Sequence, residues 1–361
     1  VKNGDRSFDR RSRAAMPGRA MVVVFSLFVF VAGYAANAQN KSTQTQSPAA
    51  GQDVDEGEVI SFRTTEVLLP VTVRDRNGKL MTTLTRSDFH IFEDGKEQPL
   101  SDLALRESPV DVVLMVDASS SVARNLDDFR RAALGFAEKL SPQDRISLIK
   151  FDDRIELLQD WTHSRLQLRR SLDRVTPGMF TRFNDALMLA AKEQFKGASV
   201  RHAVIVLTDG IDSQRGYASI AAALRSLLEA QAIVYVVSNT EIERASKLAE
   251  LDRLSRESQS VRNFNALRLD DLREGLRVLD ESEKQLEQLA IATGGRLYKP
   301  LSFDALDSTY AEVADELRHQ YTLYYSPIDK ARDGRFRRVR VETASSELKV
   351  STRIGYFAPS R

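Results

Sequence analysis

A chain of 361 residues with 42% hydrophobic and 29% charged residues has the composition of a globular protein with room for about two cores, which excludes wholesale disorder. Lys plus Arg number 52 against 51 for Asp plus Glu, a balance that argues against electrostatic binding of nucleic acid, since that needs a large basic excess. Cysteine is absent, which removes disulfides, thiolate metal sites, cysteine nucleophiles and lipid attachment to cysteine, but not an oxidising compartment.

The first element in chain order is a targeting signal. Met21 to Val31 is an apolar run too short to span a bilayer well, basic residues precede it, and Ala36-Asn37-Ala38 offers a small-x-small cleavage site before Gln39. Residues 1–38 therefore read as a signal peptide, with Met16 as a start and Arg19 as its charged head. The expectation is an exported protein, periplasmic, held in the cell envelope or secreted, and in a membrane only if this segment stays uncleaved. Residues 39–58, rich in Gln, Ser, Thr, Ala and Asp, have nothing to bury and read as a flexible linker.

Residues 59–108 read as a β segment. Val67 to Val73 is β-branched and is followed by the turn signal Asn77-Gly78; Phe89-His90-Ile91-Phe92 meets a second such signal at Asp94-Gly95. From Val110 the pattern changes to alternating strand and helix. Val112 to Val116, Ile146 to Phe151, Ala203 to Leu207 and Ile233 to Val237 are apolar runs of the kind buried on both faces of a parallel sheet, with Ile155 to Trp161 as an edge strand. Leu126, Phe129, Ala133, Phe136 and Leu140 mark one amphipathic helix. Gly294-Gly295 stops another before a short strand, and Ser302 is placed to cap a last helix striped by Phe303, Leu306, Tyr310, Val313 and Leu317.

The highly charged stretch of about 241–284, with Leu269, Leu272, Leu276 and Leu279 on one stripe, reads as an inserted helical hairpin. Residues 321–361 return to β character; Arg337, Arg338 and Arg340 there read as a solvated strand face and not as a phosphate-binding strip. The fold class expected is α/β, a Rossmann-like doubly wound and mostly parallel sheet over residues 109–320. A small β unit built jointly from the N- and C-terminal segments should flank it, with the α/β domain as an insertion.

The chemistry concentrates after the first buried strand. Asp117, Ser119 and Ser121 place a carboxylate and two hydroxyls at alternate positions of a turn at the carboxyl edge of the sheet, where open α/β sheets bind ligands. Asp209 ends another buried strand at the same edge, with Gly210 turning the chain away, and Thr181 lies in the loop before a helix near Asp185. Such hard oxygen donors suit Mg²⁺, or Mn²⁺ or Ca²⁺. A purely local reading makes Asp117 and Ser119 helix caps and Asp209 a turn residue.

In these residues the chain resembles the von Willebrand factor type A family, whose metal-ion-dependent adhesion site has the pattern Asp-x-Ser-x-Ser, then Thr, then Asp. The resemblance covers Val110 to about Gln320, and the flanks are similar to those of a bacterial secreted subfamily. It implies that Asp117, Ser119, Ser121, Thr181 and Asp209 hold a divalent cation whose open position a protein partner completes with an Asp or Glu carboxylate. Many members carry two glycines before the Thr, where this chain has Met179-Phe180; Asn184 and Asp185 stand nearby as other donors.

The function expected is cation-dependent adhesion or scaffolding without catalysis. A hydrolase using the same ion as a Lewis acid, and a structural envelope protein with a vestigial site, are the alternatives. Ser119 occupies the position where a phosphoryl-transfer enzyme of this layout needs a second carboxylate, and neither serine has a nucleophile elbow or a paired histidine. His90, His163, His202 and His319 are scattered, and no glycine-rich phosphate loop is present.

Overall fold

A computed structural model describes residues 66–105, 109–120, 125–196, 201–213 and 216–360. The signal peptide and linker expected at residues 1–58, and Ser121 of the expected metal site, lie outside the described residues. In chain order the first strands are β1 (Val67–Arg74), β2 (Phe89–Glu93), β3 (Lys96–Gln98) and β4 (Leu100–Ala104). The α/β region follows with β5 (Val110–Asp117), α1 (Leu126–Lys139), β6 (Arg145–Phe151), β7 (Ile155–Thr162), α2 (Arg165–Leu172), α3 (Phe183–Leu189), β8 (Arg201–Thr208), α4 (Ile220–Glu229) and β9 (Ala232–Ser238). Next come α5 (Thr240–Ser255), α6 (Gln259–Phe264), α7 (Ala266–Thr293), β10 (Leu297–Tyr298) and α8 (Leu306–Arg318), and the chain closes with β11 (Tyr321–Tyr325), β12 (Phe336–Thr343), β13 (Lys349–Ser351) and β14 (Gly355–Phe357).

The central sheet has the order β10-β9-β8-β5-β6-β7, parallel except for the antiparallel edge strand β7. Its inner strands β5, β6, β8 and β9 are mostly apolar and buried because both faces are covered, whereas the edge strand β7 is largely exposed. Val112, Leu114 and Val116 pack with Phe129, Phe136, Tyr310 and Val313 of α1 and α8 on one face. Val113 and Met115 pack with Phe183, Leu227, Leu286 and Leu289 of α3, α4 and α7 on the other. This is the doubly wound α/β architecture expected from the alternation of runs. Because β5 lies between β6 and β8, with α1 and α4 on opposite faces, the order reverses at the β5–β8 pair, which makes the carboxyl ends of these two strands the topological switch point.

The flanking strands form two four-stranded antiparallel sheets, β13-β1-β11-β4 and β14-β12-β2-β3, each built from both ends of the chain. They share one core of Leu69, Val71, Ile91, Tyr321, Leu323, Tyr325, Val341 and Tyr356. Alternation fixes the register: along β12, residues 337, 339 and 341 are buried while 338, 340 and 342 face solvent.

Several local expectations are corrected. Asp94-Gly95 does close the β2–β3 hairpin, with φ of 48° and 82° at the two turn residues. Asn77-Gly78 sits in a turn after β1, but only Arg74 and Leu80 bridge across it, because β1 pairs with β11 and β13 instead. Ser302 heads a 3₁₀ turn leading into α8 and makes no side-chain cap bond. Arg337 is buried and held by Asp329 and Asp333, while Arg340 lies over the Phe92 ring with its cation 4.5 Å from the centroid. The charged stretch does form a hairpin, α5 against α7 with α6 at its tip, around its own small cluster of Leu251, Leu254, Leu269 and Leu272. Its returning arm continues without a break to Thr293, where Gly294 ends it at φ 85°.

Candidate metal centre

The strand register assembles this centre before any side chain is considered. Val116 of β5 pairs with Leu207 of β8, so Thr208 stands opposite Asp117 and Asp209 follows one residue beyond. Asp117 is fully buried, and Asp209 is 4% exposed. One Asp117 carboxylate oxygen accepts the Ser119 backbone N–H at 2.9 Å, and the other accepts the Thr208 hydroxyl at 2.6 Å. Thr208 Oγ1 in turn accepts the Gly210 N–H at 2.9 Å, and Asp209 accepts the Ile211 N–H at 3.1 Å. Neither Asp117 nor Ser119 caps α1, whose N-cap position is Asn125.

The Thr181 loop is tied to both strands. Gly178 donates its N–H to the Ala118 carbonyl at 2.7 Å, and a Cβ at Gly178 would stand 2.5 Å from the Asp152 side chain, so only glycine allows this approach. Thr181 donates its N–H to Ser213 Oγ at 2.8 Å while Ser213 donates its N–H to the Thr181 carbonyl at 2.9 Å, which joins this loop to the one after Asp209. Thr181 is thereby buried at the same edge. Asp185 is engaged elsewhere: it accepts the Arg182 guanidinium and the backbone N–H groups of Tyr217 and Ala218. Burial opposes its ionisation, but these donors hold its carboxyl below the ordinary value. The Asn184 N–H goes to Asp212 at 3.0 Å.

Electrostatics mark the same spot. Burial, followed by the nearby Asp209 charge, pushes the Asp117 carboxyl up to about 7, against hydrogen bonds from Thr208 and Ser119 that pull the other way. Two buried carboxylates, the charge of Asp209 raising Asp117, beside the hydroxyls of Thr208 and Ser119, fit a hard divalent cation, which would relieve their repulsion. Among the described residues no group of three His, Cys, Asp or Glu side chains is placed to hold a metal ion, so a cation here would rest on two carboxylates and on hydroxyls. Two of the histidines have local partners: His202 Nδ1 donates to the Ala230 carbonyl at 2.7 Å and its ring stacks on Phe195, and His319 Nδ1 donates to the Asp315 carbonyl at 2.9 Å.

Two contributors were not legible in the sequence motif. Thr208 lies just past the apolar run Ala203 to Leu207 and carries no motif signal of its own; the register places it opposite Asp117. Ser282 of α7 donates its hydroxyl to the Asp209 carbonyl from 73 residues away. A serine within the apolar stripe of Leu279, Leu286 and Leu289 was the available sign.

Residues 111–277 match the family model described as von Willebrand factor type A domain. An uncharacterised protein of Synechocystis is 29% identical over 109 residues, covering 29% of this chain and 26% of that protein, so the chain matches about a quarter of this relative's length. Among solved structures, a von Willebrand factor type A protein from Catenulispora acidiphila is 14% identical over 66% of this chain and 51% of that one, with a TM-score of 0.45. Proximal thread matrix protein 1 from the mussel byssus is 16% identical over 63% of this chain and 51% of that one, with a TM-score of 0.44.

Proposed function

We propose that this chain, whose residues 111–277 match the von Willebrand factor type A domain model, is a divalent-cation-dependent protein-binding module, used for adhesion or scaffolding outside the cytoplasm. The observation that carries this reading is the buried pair Asp117 and Asp209 at the topological switch point, with Asp117 raised by burial and by its neighbour. Asp117, Ser119, Ser121, Thr181 and Asp209 would hold Mg²⁺, or Mn²⁺ or Ca²⁺. The cation, when bound, would supply a positive centre able to attract an Asp or Glu carboxylate of the partner. The chain's own part is to exclude water from Asp117, to aim its oxygens through Ser119 and Thr208, and to pin the Thr181 loop through Gly178 and Ser213. Among the described residues no helix is long and apolar enough to cross a membrane.

Thermal unfolding in EDTA and in Mg²⁺, Mn²⁺ or Ca²⁺, for the wild type and Asp117→Ala, tests the reading. A cation at a hundredfold excess over its Kd stabilises the native state by about 2.7 kcal/mol, roughly 5–10 °C for a domain of this size. The wild type should shift and the variant should not. No shift at millimolar cation would leave the site vestigial.

A further inference from the structure

Helix α7 reaches the candidate metal centre from outside the motif that defines it. Thr240 opens α5 directly after β9, so the α5–α7 hairpin starts at the carboxyl edge of the sheet, the edge that carries Asp117 and Asp209. On its return α7 meets the Asp209–Gly210 turn twice. The Ser282 hydroxyl donates to the Asp209 carbonyl, and Leu286, one helical turn on, packs on Gly210. Gly210 is at φ 71°, and a Cβ there would stand 2.6 Å from the Leu286 side chain. Ser282 is 6% exposed and Leu286 is 1% exposed, so both contacts are dry.

Asp209 is thus held from two sides. Its side chain accepts the Ile211 N–H, and its carbonyl accepts the Ser282 hydroxyl. A peptide unit fixed at its carbonyl cannot rotate without breaking that bond, and this unit leads through Gly210 to the Ile211 N–H that holds the Asp209 carboxylate. Buried hydroxyl–carbonyl bonds of this kind are kept because leaving either group unmade inside the protein is unfavourable.

We propose that Ser282 is a positioning residue for the cation, and that through it α7 sets the affinity and the size selectivity of the centre. The proposal rests on the metal reading above. Mg²⁺ demands near-ideal short geometry, while Ca²⁺ accepts longer and less regular coordination. A centre whose Asp209 is clamped should therefore favour Mg²⁺, and a loosened one should lose that preference first.

The test compares wild type, Ser282→Ala and Ser282→Thr as full chains. Mg²⁺ and Ca²⁺ affinities are measured by titration, and amide hydrogen exchange is followed without cation. Loss of an outer hydrogen bond to a metal ligand weakens binding about tenfold or more. Ser282→Ala should lose that for Mg²⁺ and clearly less for Ca²⁺, and Ser282→Thr, which keeps the hydroxyl, should recover most of it. Without cation, exchange at Gly210 and Ile211 should quicken in Ser282→Ala while β8 stays protected. Equal loss for both ions, or faster exchange across the whole sheet, would make Ser282 a structural residue and overturn the proposal. A wild type that binds Mg²⁺ alongside a Ser282→Ala variant that binds it equally overturns this proposal alone. A wild type that binds neither ion overturns the metal reading and this proposal together.

Discussion

Asp117 sits where ionisation is least favoured, at the buried end of a central strand facing a second carboxylate, and its carboxyl rises to about 7 from an ordinary 3.8. The folded chain then holds this proton over a range where the unfolded chain has released it. The group's contribution to stability is present below the unfolded value and is lost as pH rises through about 4 to 7. Asp117→Asn keeps an acceptor for the Ser119 N–H and removes the charge. In EDTA this variant should melt several degrees above wild type at pH 8, and the gap should close towards pH 4. Mg²⁺ should raise the wild type at pH 8 and leave the variant unmoved. A variant melting below wild type at pH 8 would show that burial and Asp209 do not strain this position. The spacing of Asp117, Ser119 and Asp209 was readable because each follows an apolar run, and run ends mark a sheet edge. Thr208 and Ser282 were not readable, because each joins through strand register or through a helix far along the chain.

Helices and strands carry a different lesson. Continuous apolar runs identified β5, β6, β8 and β9, since a strand covered on both faces has no polar alternation to hide it. The partners of β1 were not legible, because the turn at Asn77-Gly78 is local while pairing with β11 and β13 depends on residues more than 240 positions away. The hairpin shows both sides of this. Its charge and leucine stripe announced helices, but its continuity with the sheet-packing part of α7 did not follow from them. Its tip exposes Phe264 at 90% and Leu267 at 82%, and its inner leucines form a cluster separate from both sheet cores. Lys247 lies against Gly275, within 3.4 Å of where a Cβ there would stand, so the two arms are close enough to join at that level. Replacing residues 248–274 with a short Gly-Ser turn should leave the Asp209 contacts of α7 in place. The shortened chain should fold, melt within a few degrees of wild type and keep its cation-induced shift, because the removed leucines support only the hairpin. Loss of the folded state would place the hairpin inside the folding core of the domain.

At the scale of the molecule, the α/β region is spliced into a β sandwich, and the two are stitched by polar groups buried at their junction. Arg353 donates to Gln231 and to the Leu68 carbonyl, Ile354 donates its N–H to the Ala292 carbonyl at 3.0 Å, and Glu316 of α8 accepts both Arg74 of β1 and the Tyr298 hydroxyl. Gln320, at the crossing point, donates to Thr72 and to Tyr235. Burial lowers the Arg353 guanidinium to about 10, which shows how thoroughly the junction excludes water. Strands β11 and β12 are internal to the two sandwich sheets, so a chain ending at residue 320 loses the strands paired with β1 and β4 and leaves β2 with β3 alone. The cores on both faces of the central sheet, by contrast, use residues 110–317 only. Such a truncation should therefore become sensitive to protease within residues 66–105 while residues 110–317 stay protected and still respond to Mg²⁺. If the whole chain turned protease-sensitive, the junction, and not the central sheet, would govern stability. The α8 end then decides: Glu316 is buried against Arg74, so stripping the sandwich leaves an acidic group without its cation inside the surviving domain. Glu316→Gln in the truncated chain should recover part of the lost melting temperature, whereas the same change in the full chain should lower it.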